Sequence, residues 1–271
     1  MAQKPYIIVL GNEKGGTGKS TVSMHIITSL LRMGFSVGSI DVDARQGTLT
    51  RYLENRKFTS DKMEKPLPLP HHIPLLLSQQ SIKEEAIKED QHNLEEAITQ
   101  LSSHSFILID TPGSDSSLSR AAHAFADTLI TPLNDSFIDL DMLVRLKSDT
   151  LDIIRPSIYA EMVWEQKKRR AIRDQGSIEW FVLRNRLSSI NARNKEQMED
   201  VIQALAKRIG FHYVQGFGER VIFRELFLAG LTVLDLEDCN IPITLSHVSA
   251  KQELRNLIQM LQLPEIKKLA A

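Results

Sequence analysis

GNEKGGTGKST, Gly11–Thr21, follows the apolar run YIIVLG of Tyr6–Gly11 and leads into a helical pattern in which Val22, Ile26, Leu30 and Met33 share one face. A buried strand, a glycine-rich turn and a helix N-terminus, in that order, form the setting of a phosphate-binding P-loop. Gly15, Gly16 and Gly18 carry no Cβ, so backbone N–H groups can close on phosphate oxygens. The helix dipole favours the same anion. Lys19 is spaced to reach β- and γ-phosphates, and the Ser20 hydroxyl to ligate Mg²⁺. The loop thus offers Lys14, Gly15, Gly16, Thr17, Gly18, Lys19, Ser20 and Thr21 to a nucleoside triphosphate, read as ATP with Mg²⁺. A glycine turn without a ligand is the rival reading, and it does not call for the strand, the Gly-Lys-Ser and the helix together.

Outward from the loop, Ser36–Asp43, Phe106–Pro112, Asp127–Leu133 and Ile178–Asn185 read as further strands. Most lack strict alternation, which indicates burial on both faces, as in parallel sheets. Amphipathic segments lie between them, such as Met198, Val201, Ile202, Leu205 and Ile209. The expectation is a doubly wound α/β fold, a mainly parallel sheet flanked by helices, in a single domain covering 1–271. Two stretches break the rhythm. Residues 64–74, EKPLPLPHHIP, read as an extended surface loop. Its His71 and His72 have no further spaced ligands, so plain surface is a better reading than a metal site. Residues 149–176 read as a charged helical insertion.

Carboxylates close the strands. Alternation puts Asp41 and Asp43 on one side of the second strand, near the carboxyl edge where open α/β sheets bind ligands. Asp110 ends an apolar strand, a Walker B pattern that would hold Mg²⁺ through water. The following Thr111-Pro112-Gly113 reads as a second switch, in which the Gly113 N–H could sense a γ-phosphate. Ser20, Asp41, Asp43 and Asp110 are therefore the Mg²⁺-side candidates.

The strict P-loop pattern wants glycine where Glu13 stands, and a second lysine, Lys14, follows it. In this K-G-G-x-G-K-[ST] form the chain resembles the ParA/MinD ATPases. DVDARQGT, FILIDTPGSDS, PLNDSFIDLDML, VLRNRL, ALAKRIGF, RVIFRELF and GLTVLDL extend the resemblance over most of the chain, toward a branch that positions the division plane. The resemblance implies that ATP drives a sandwich homodimer in which Lys14 crosses to the partner's phosphates, a cation supplied in trans as an arginine finger is. It further implies that Asp43 orients the attacking water, which with Lys14 and Lys19 completes the catalytic set, and that Asn185 hydrogen-bonds adenine. Slow hydrolysis would reset dimer to monomer. The implied partners are chromosomal DNA bound without sequence preference, a ParB-like centromere-binding protein, and FtsZ, whose assembly is inhibited away from midcell. ParA-type partition of a chromosome or plasmid, or MinD-like membrane association, is the alternative.

Net charge is −1 overall, but the stretch from Arg145 to Arg224 is net positive. Phosphate-backbone binding needs clustered cations and no base readers, so Arg184, Arg186, Arg193, Lys195 and Arg220 are DNA-binding candidates. Arg193 and Lys195 fall near a helix start, where the dipole disfavours cations and a bound phosphate would offset the cost. A solvated helix face is the plain alternative. Cys239 is the single cysteine, which rules out an internal disulfide and a cysteine-held cluster. No apolar run reaches membrane-spanning length and no secretory signal opens the chain. The Lys251–Leu263 stripe reads as a helix docked on its own domain. The expectation is a cytoplasmic, nucleoid-associated protein with polar enrichment and no membrane partner.

Overall fold

The computed structural model describes residues 4–42, 46–147, 153–187, 192–264 and 266. The glycine-rich stretch links strand β1 (Tyr6–Leu10) to helix α1 (Lys19–Arg32), as its sequence context requires. The chain continues through β2 (Val37–Asp41), α2 (Thr48–Ser60), β3 (His71–Pro74), α3 (Lys83–Gln100) and β4 (Phe106–Asp110). Next come α4 (Ser117–Phe125), β5 (Thr128–Asn134), the short α5 (Phe137–Leu140) and a hairpin of β6 (Val144–Leu146) with β7 (Ile153–Pro156). The remainder is α6 (Ile158–Asp174), β8 (Glu179–Asn185), α7 (Ala192–Ile209), β9 (His212–Gln215), α8 (Ile222–Ala229) and α9 (Leu245–Met260).

Seven strands form one parallel sheet in the order β3-β2-β4-β1-β5-β8-β9. Two apolar layers sandwich it. Ile7 and Val9 of β1 face the layer that contains Leu94 of α3, Leu118 of α4, Val163 of α6 and Leu205 of α7. Ile8 and Leu10 face the opposite layer, with Ile26 of α1, Leu53 of α2, Leu226 of α8 and Leu257 of α9. Consecutive strand residues point to opposite faces and both faces are dry, so β1 and β4 are apolar at every core position. Each such Ile or Leu contributes about 1.5–3 kcal/mol by leaving water.

Three expectations need correction. Residues 64–74 are not loop throughout: His71–Pro74 is edge strand β3, paired with Gly38–Asp41. The helical part of residues 149–176 is not an insertion. Ile158–Asp174 is α6, the crossover helix that carries the chain from β5 to β8, both of which lie in the same parallel sheet. Its basic run owes part of its character to that place: Arg170 is buried, bonded to Asp127, Asp174 and the carbonyls of Phe125 and Ala126. Met33, placed on the buried face of α1, is the residue just past that helix and is exposed. The C-terminal stripe docks as read, with Leu254, Leu257, Ile258 and Leu261 buried against α1 and β9. Among the described residues no helix is long and apolar enough to cross a membrane.

Candidate functional site

The carboxyl ends of β1, β2, β4, β5 and β8 lie along one edge of the parallel sheet, where β1 separates the strands wound to either side. The P-loop lies at that crossing. Gly18 has φ 89°, a left-handed conformation that only glycine adopts without strain, and it opens α1 with no side-chain cap and no acid in the first turn. The amides of that turn are thereby left to an anion. Gly113 packs against the loop from the end of β4: a Cβ there would come within 2.7 Å of Gly15 Cα and 2.8 Å of its nitrogen. That closeness places Gly113 directly against the glycine-rich loop.

The two lysines stand apart. Lys19 is buried in the loop and donates to the Lys14 carbonyl at 3.0 Å. Lys14 points elsewhere. Its side chain is 39% exposed, and its Nζ pairs with the buried carboxylate of Asp139 at α5. Asp139 also accepts from the Asn134 N–H at 3.0 Å, so the acid is held at the end of β5. Asn12 fixes the other flank: its Oδ1 accepts from the Lys14 N–H at 2.7 Å and its amide donates to the Pro132 carbonyl at 2.6 Å. Asp139 and Asn12 escaped the sequence reading. PLNDSFIDLDML carried no charge-pairing signal toward Lys14, because their separation of 125 residues closes only through the sheet.

Of the predicted carboxylates, Asp41 and Asp110 are brought together. Asp41 and Asp110 are directly opposite in neighbouring strands, and both are buried. Ser23 donates to Asp110 at 2.9 Å, and Ser20 bonds it as well. Burial first, and then the charge of Asp41, push the Asp110 carboxyl up to about 7, against the opposing pull of Ser20, Ser23 and Lys19. Two crowded carboxylates with serine hydroxyls supply the oxygen donors that fit a hard divalent cation. Mg²⁺ takes only one or two carboxylates and completes its octahedron with water and phosphate oxygens, consistent with no group of three or more acidic, His or Cys ligands among the described residues. Asp43 lies outside the described residues.

On the other side of Gly18, a narrow cleft of about 80 Å³ is lined by Asn185, Arg186, Phe217 and Phe223. Asn185 is already engaged. Its amide donates to the Thr17 carbonyl at 2.9 Å, and its Oδ1 accepts from the Phe217 N–H at 3.1 Å. It therefore ties the P-loop to the segment after β9, a role that the reading of it as a base contact did not include.

The basic candidates divide. Arg184 is not a surface residue. It is buried and held by Asp135 at 2.6–2.7 Å, because its side chain leaves β8 into the protein. Arg220 makes a two-pronged pair with Glu253 at 2.6 and 2.7 Å, which spends its charge within the molecule. Arg186 is exposed at the end of β8. Arg193 and Lys195 fall at the start of α7, as expected, but their side chains lie outside what the structure describes.

A family model described as ATPase MipZ matches residues 6–265. The chain belongs to the ATPase MipZ family. Several solved structures share its fold. Apo McdA of Cyanothece matches with a TM-score of 0.62 at 18% identity, over 94% of this chain and 99% of that one. The septum site-determining protein MinD of Pyrococcus horikoshii OT3, complexed with Mg-ADP, matches at 0.56 and 20% identity, over 98% of each chain. A plasmid partition protein of Borrelia burgdorferi B31 bound to AMPPNP matches at 0.59 and 15% identity, over 95% of this chain and 98% of that one. An iron-sulfur cluster carrier protein of Aquifex aeolicus (strain VF5) is 31% identical over 75 residues, 27% of this chain. This chain spans only about a fifth of that relative's length, 21%. The chain is thus an ATPase of the MipZ family that shares its fold with solved MinD and plasmid partition proteins.

Proposed function

We propose that this MipZ-family ATPase is an ATP-dependent dimerising switch that positions the division site. The observation that carries the reading is the separation of its two loop lysines. Lys19 lies in the cradle, whereas Lys14 projects from the exposed rim toward Asp139. A cation on the rim adds nothing to a phosphate bound in its own loop. It can meet the phosphates of a second copy facing it.

In this reading the P-loop amides, Lys19 and Thr21 hold the triphosphate, with Ser20, Asp41, Asp43 and Asp110 on the Mg²⁺ side. Mg²⁺, when bound, neutralises charge on the β- and γ-phosphate oxygens. Asp43 orients the attacking water, Gly113 senses the γ-phosphate, and Lys14 from the second copy stabilises the transferring group. The base sits toward Arg186 and Phe217, with Asn185 holding the Thr17 carbonyl of the loop beside it. Hydrolysis is slow and returns dimer to monomer.

Dimerisation doubles weak phosphate contacts, so it gates non-specific DNA binding through avidity. With Arg184 and Arg220 removed from the patch, Arg186, Arg193 and Lys195 remain as its cations. A ParB-like protein and FtsZ are the protein partners, and a cytoplasmic, nucleoid-associated distribution with polar enrichment follows from them. The family supports these finer assignments and the single domain over 1–271, and the Lys14 geometry supports the dimer. Size-exclusion chromatography of Asp43→Ala with and without ATP tests the core of it. An ATP-dependent dimer is expected, and a monomer under both conditions would overturn the sandwich mechanism.

A further inference from the structure

The histidine pair of the Pro-rich stretch has a structural partner that neither the fold nor the proposed switch explains. His72 lies on β3 opposite Ser39 of β2, and its ring is mostly enclosed. Ser39 Oγ is 2.9 Å from Nδ1, and Nε2 is 3.0 Å from Thr50 Oγ1. Thr50 Oγ1 in turn lies 2.9 Å from Asp41 Oδ2, and the Thr50 N–H donates to that same oxygen at 2.9 Å.

The protons can be placed along this chain. An ionised Asp41 accepts both the Thr50 amide and the Thr50 hydroxyl hydrogen. With its hydrogen spent, the hydroxyl accepts from His72 Nε2–H. Nδ1 is then the acceptor for Ser39. The arrangement calls for a neutral imidazole, and burial lowers the His72 pKa accordingly. Thr50 is also the third residue of α2, whose N-cap, Gly47, has no side chain to offer. Asp41 supplies the missing acceptor from the neighbouring strand, and its charge favours the positive helix end.

We propose that His72, acting through Thr50, is a positioning residue that fixes the Asp41 carboxylate for the Mg²⁺ side of the nucleotide site. The inference rests on the nucleotide reading above. Its physical need is electrostatic. Asp41 faces buried Asp110 across neighbouring strands, and two carboxylates so placed repel each other. Asp110 is held by Ser20 and Ser23. Asp41 is held by Thr50, and Thr50 is kept in the donating orientation by the imidazole behind it. The same contact fastens the start of α2.

The test titrates a fluorescent ATP analogue against the purified full chain, once in EDTA and once over a range of MgCl₂. Thr50→Val removes the hydroxyl at nearly constant shape and keeps the amide that caps α2. His72→Ala removes the imidazole, and Thr50→Ser restores the hydroxyl. Thr50→Val and His72→Ala are expected to raise the half-saturating Mg²⁺ concentration about tenfold, the scale typical of outer-shell partners. Affinity in EDTA should hold, and Thr50→Ser should stay close to wild type. The double variant should be no worse than Thr50→Val alone, since both break one chain. A folded Thr50→Val with wild-type Mg²⁺ dependence would overturn the proposal, as would an equal loss in EDTA. A wild-type protein whose nucleotide binding ignores Mg²⁺ would instead strike the underlying nucleotide reading.

Discussion

Lys14 and Lys19 lie five residues apart in one loop, yet the chain gives them opposite surroundings. Lys19 is enclosed and bonded to the loop backbone, whereas Lys14 reaches a buried acid on another element. Lys19→Ala should therefore lower nucleotide affinity at least tenfold, as loss of a charge-assisted bond to phosphate does. Lys14→Ala should keep monomer affinity for ATP and lose the ATP-dependent dimer, which equilibrium binding and light scattering on one sample would resolve. Asn185 poses a third residue-level question. Truncation to Ala leaves the Thr17 carbonyl and the Phe217 N–H unpaired, and unmade buried hydrogen bonds cost about 1–3 kcal/mol each. Asn185→Ala should thus weaken any nucleotide by roughly tenfold or more, GTP as much as ATP. Loss of ATP binding alone would show a base contact instead of a strut.

Between elements, the segment after α8 is fastened to α1 and α2 by one acid. Asp235 is fully buried and accepts from Arg56 at 2.7 and 3.0 Å, from Arg32 at 2.6 Å and from the Thr232 hydroxyl at 2.7 Å. Burial alone would raise its carboxyl, but these donors hold it well below the usual carboxylate range. Asp235→Ala would strand the buried Arg56 charge at a cost of about 3–5 kcal/mol. By calorimetry, the melting temperature should fall by roughly 10 °C. Arg32→Ala should cost far less, because its side chain is 29% exposed and keeps water as an alternative partner. Leu257→Ala should lose about 2–5 kcal/mol, since α9 is anchored through that stripe. A smaller loss would mean that the helix is not held there.

Over the whole molecule, pH acts through two buried histidines on different elements. His25 in α1 and His123 in α4 are both pushed down to about 4, chiefly by burial. A histidine held neutral in the fold costs nothing above its unfolded pKa near 6.5 and penalises the folded state as pH falls toward 4. Stability should drop by about 2 kcal/mol for each between pH 7 and 5, read from urea midpoints. Asp110 has the opposite sign. Its raised carboxyl disfavours the fold as pH climbs from the ordinary carboxylate range to about 7, so the two effects partly oppose each other near pH 6. In Asp110→Asn, which removes the opposing group, a flat profile from pH 7 to 5 would refute the histidine assignment. For DNA, Arg193→Ala with Lys195→Ala should reduce the salt slope of binding by the dimer, by about 1 for each phosphate that goes unneutralised. An unchanged slope would remove α7 from the DNA surface.

Gly11–Thr21 set the phosphate loop, the strand before it and the helix after it, because glycines, lysine and apolar spacing act over neighbouring residues. The two-sided burial of β1 and β4 was equally legible, as unbroken apolar runs can be satisfied only between two layers. Tertiary structure decided which charges are spent. Arg184 and Arg220 read as surface cations until Asp135 and Glu253 were brought against them from 49 and 33 residues away. It also decided that the His72 segment is a strand. Its prolines and histidines give no local preference for one, and only the open edge of β2 supplies the pairing. Sequence spacing records local propensity, whereas a charge is paired or free according to what the sheet order brings beside it. Lys14, an anomaly in the motif, therefore became a rim lysine held by Asp139 only once β5 lay beside β1.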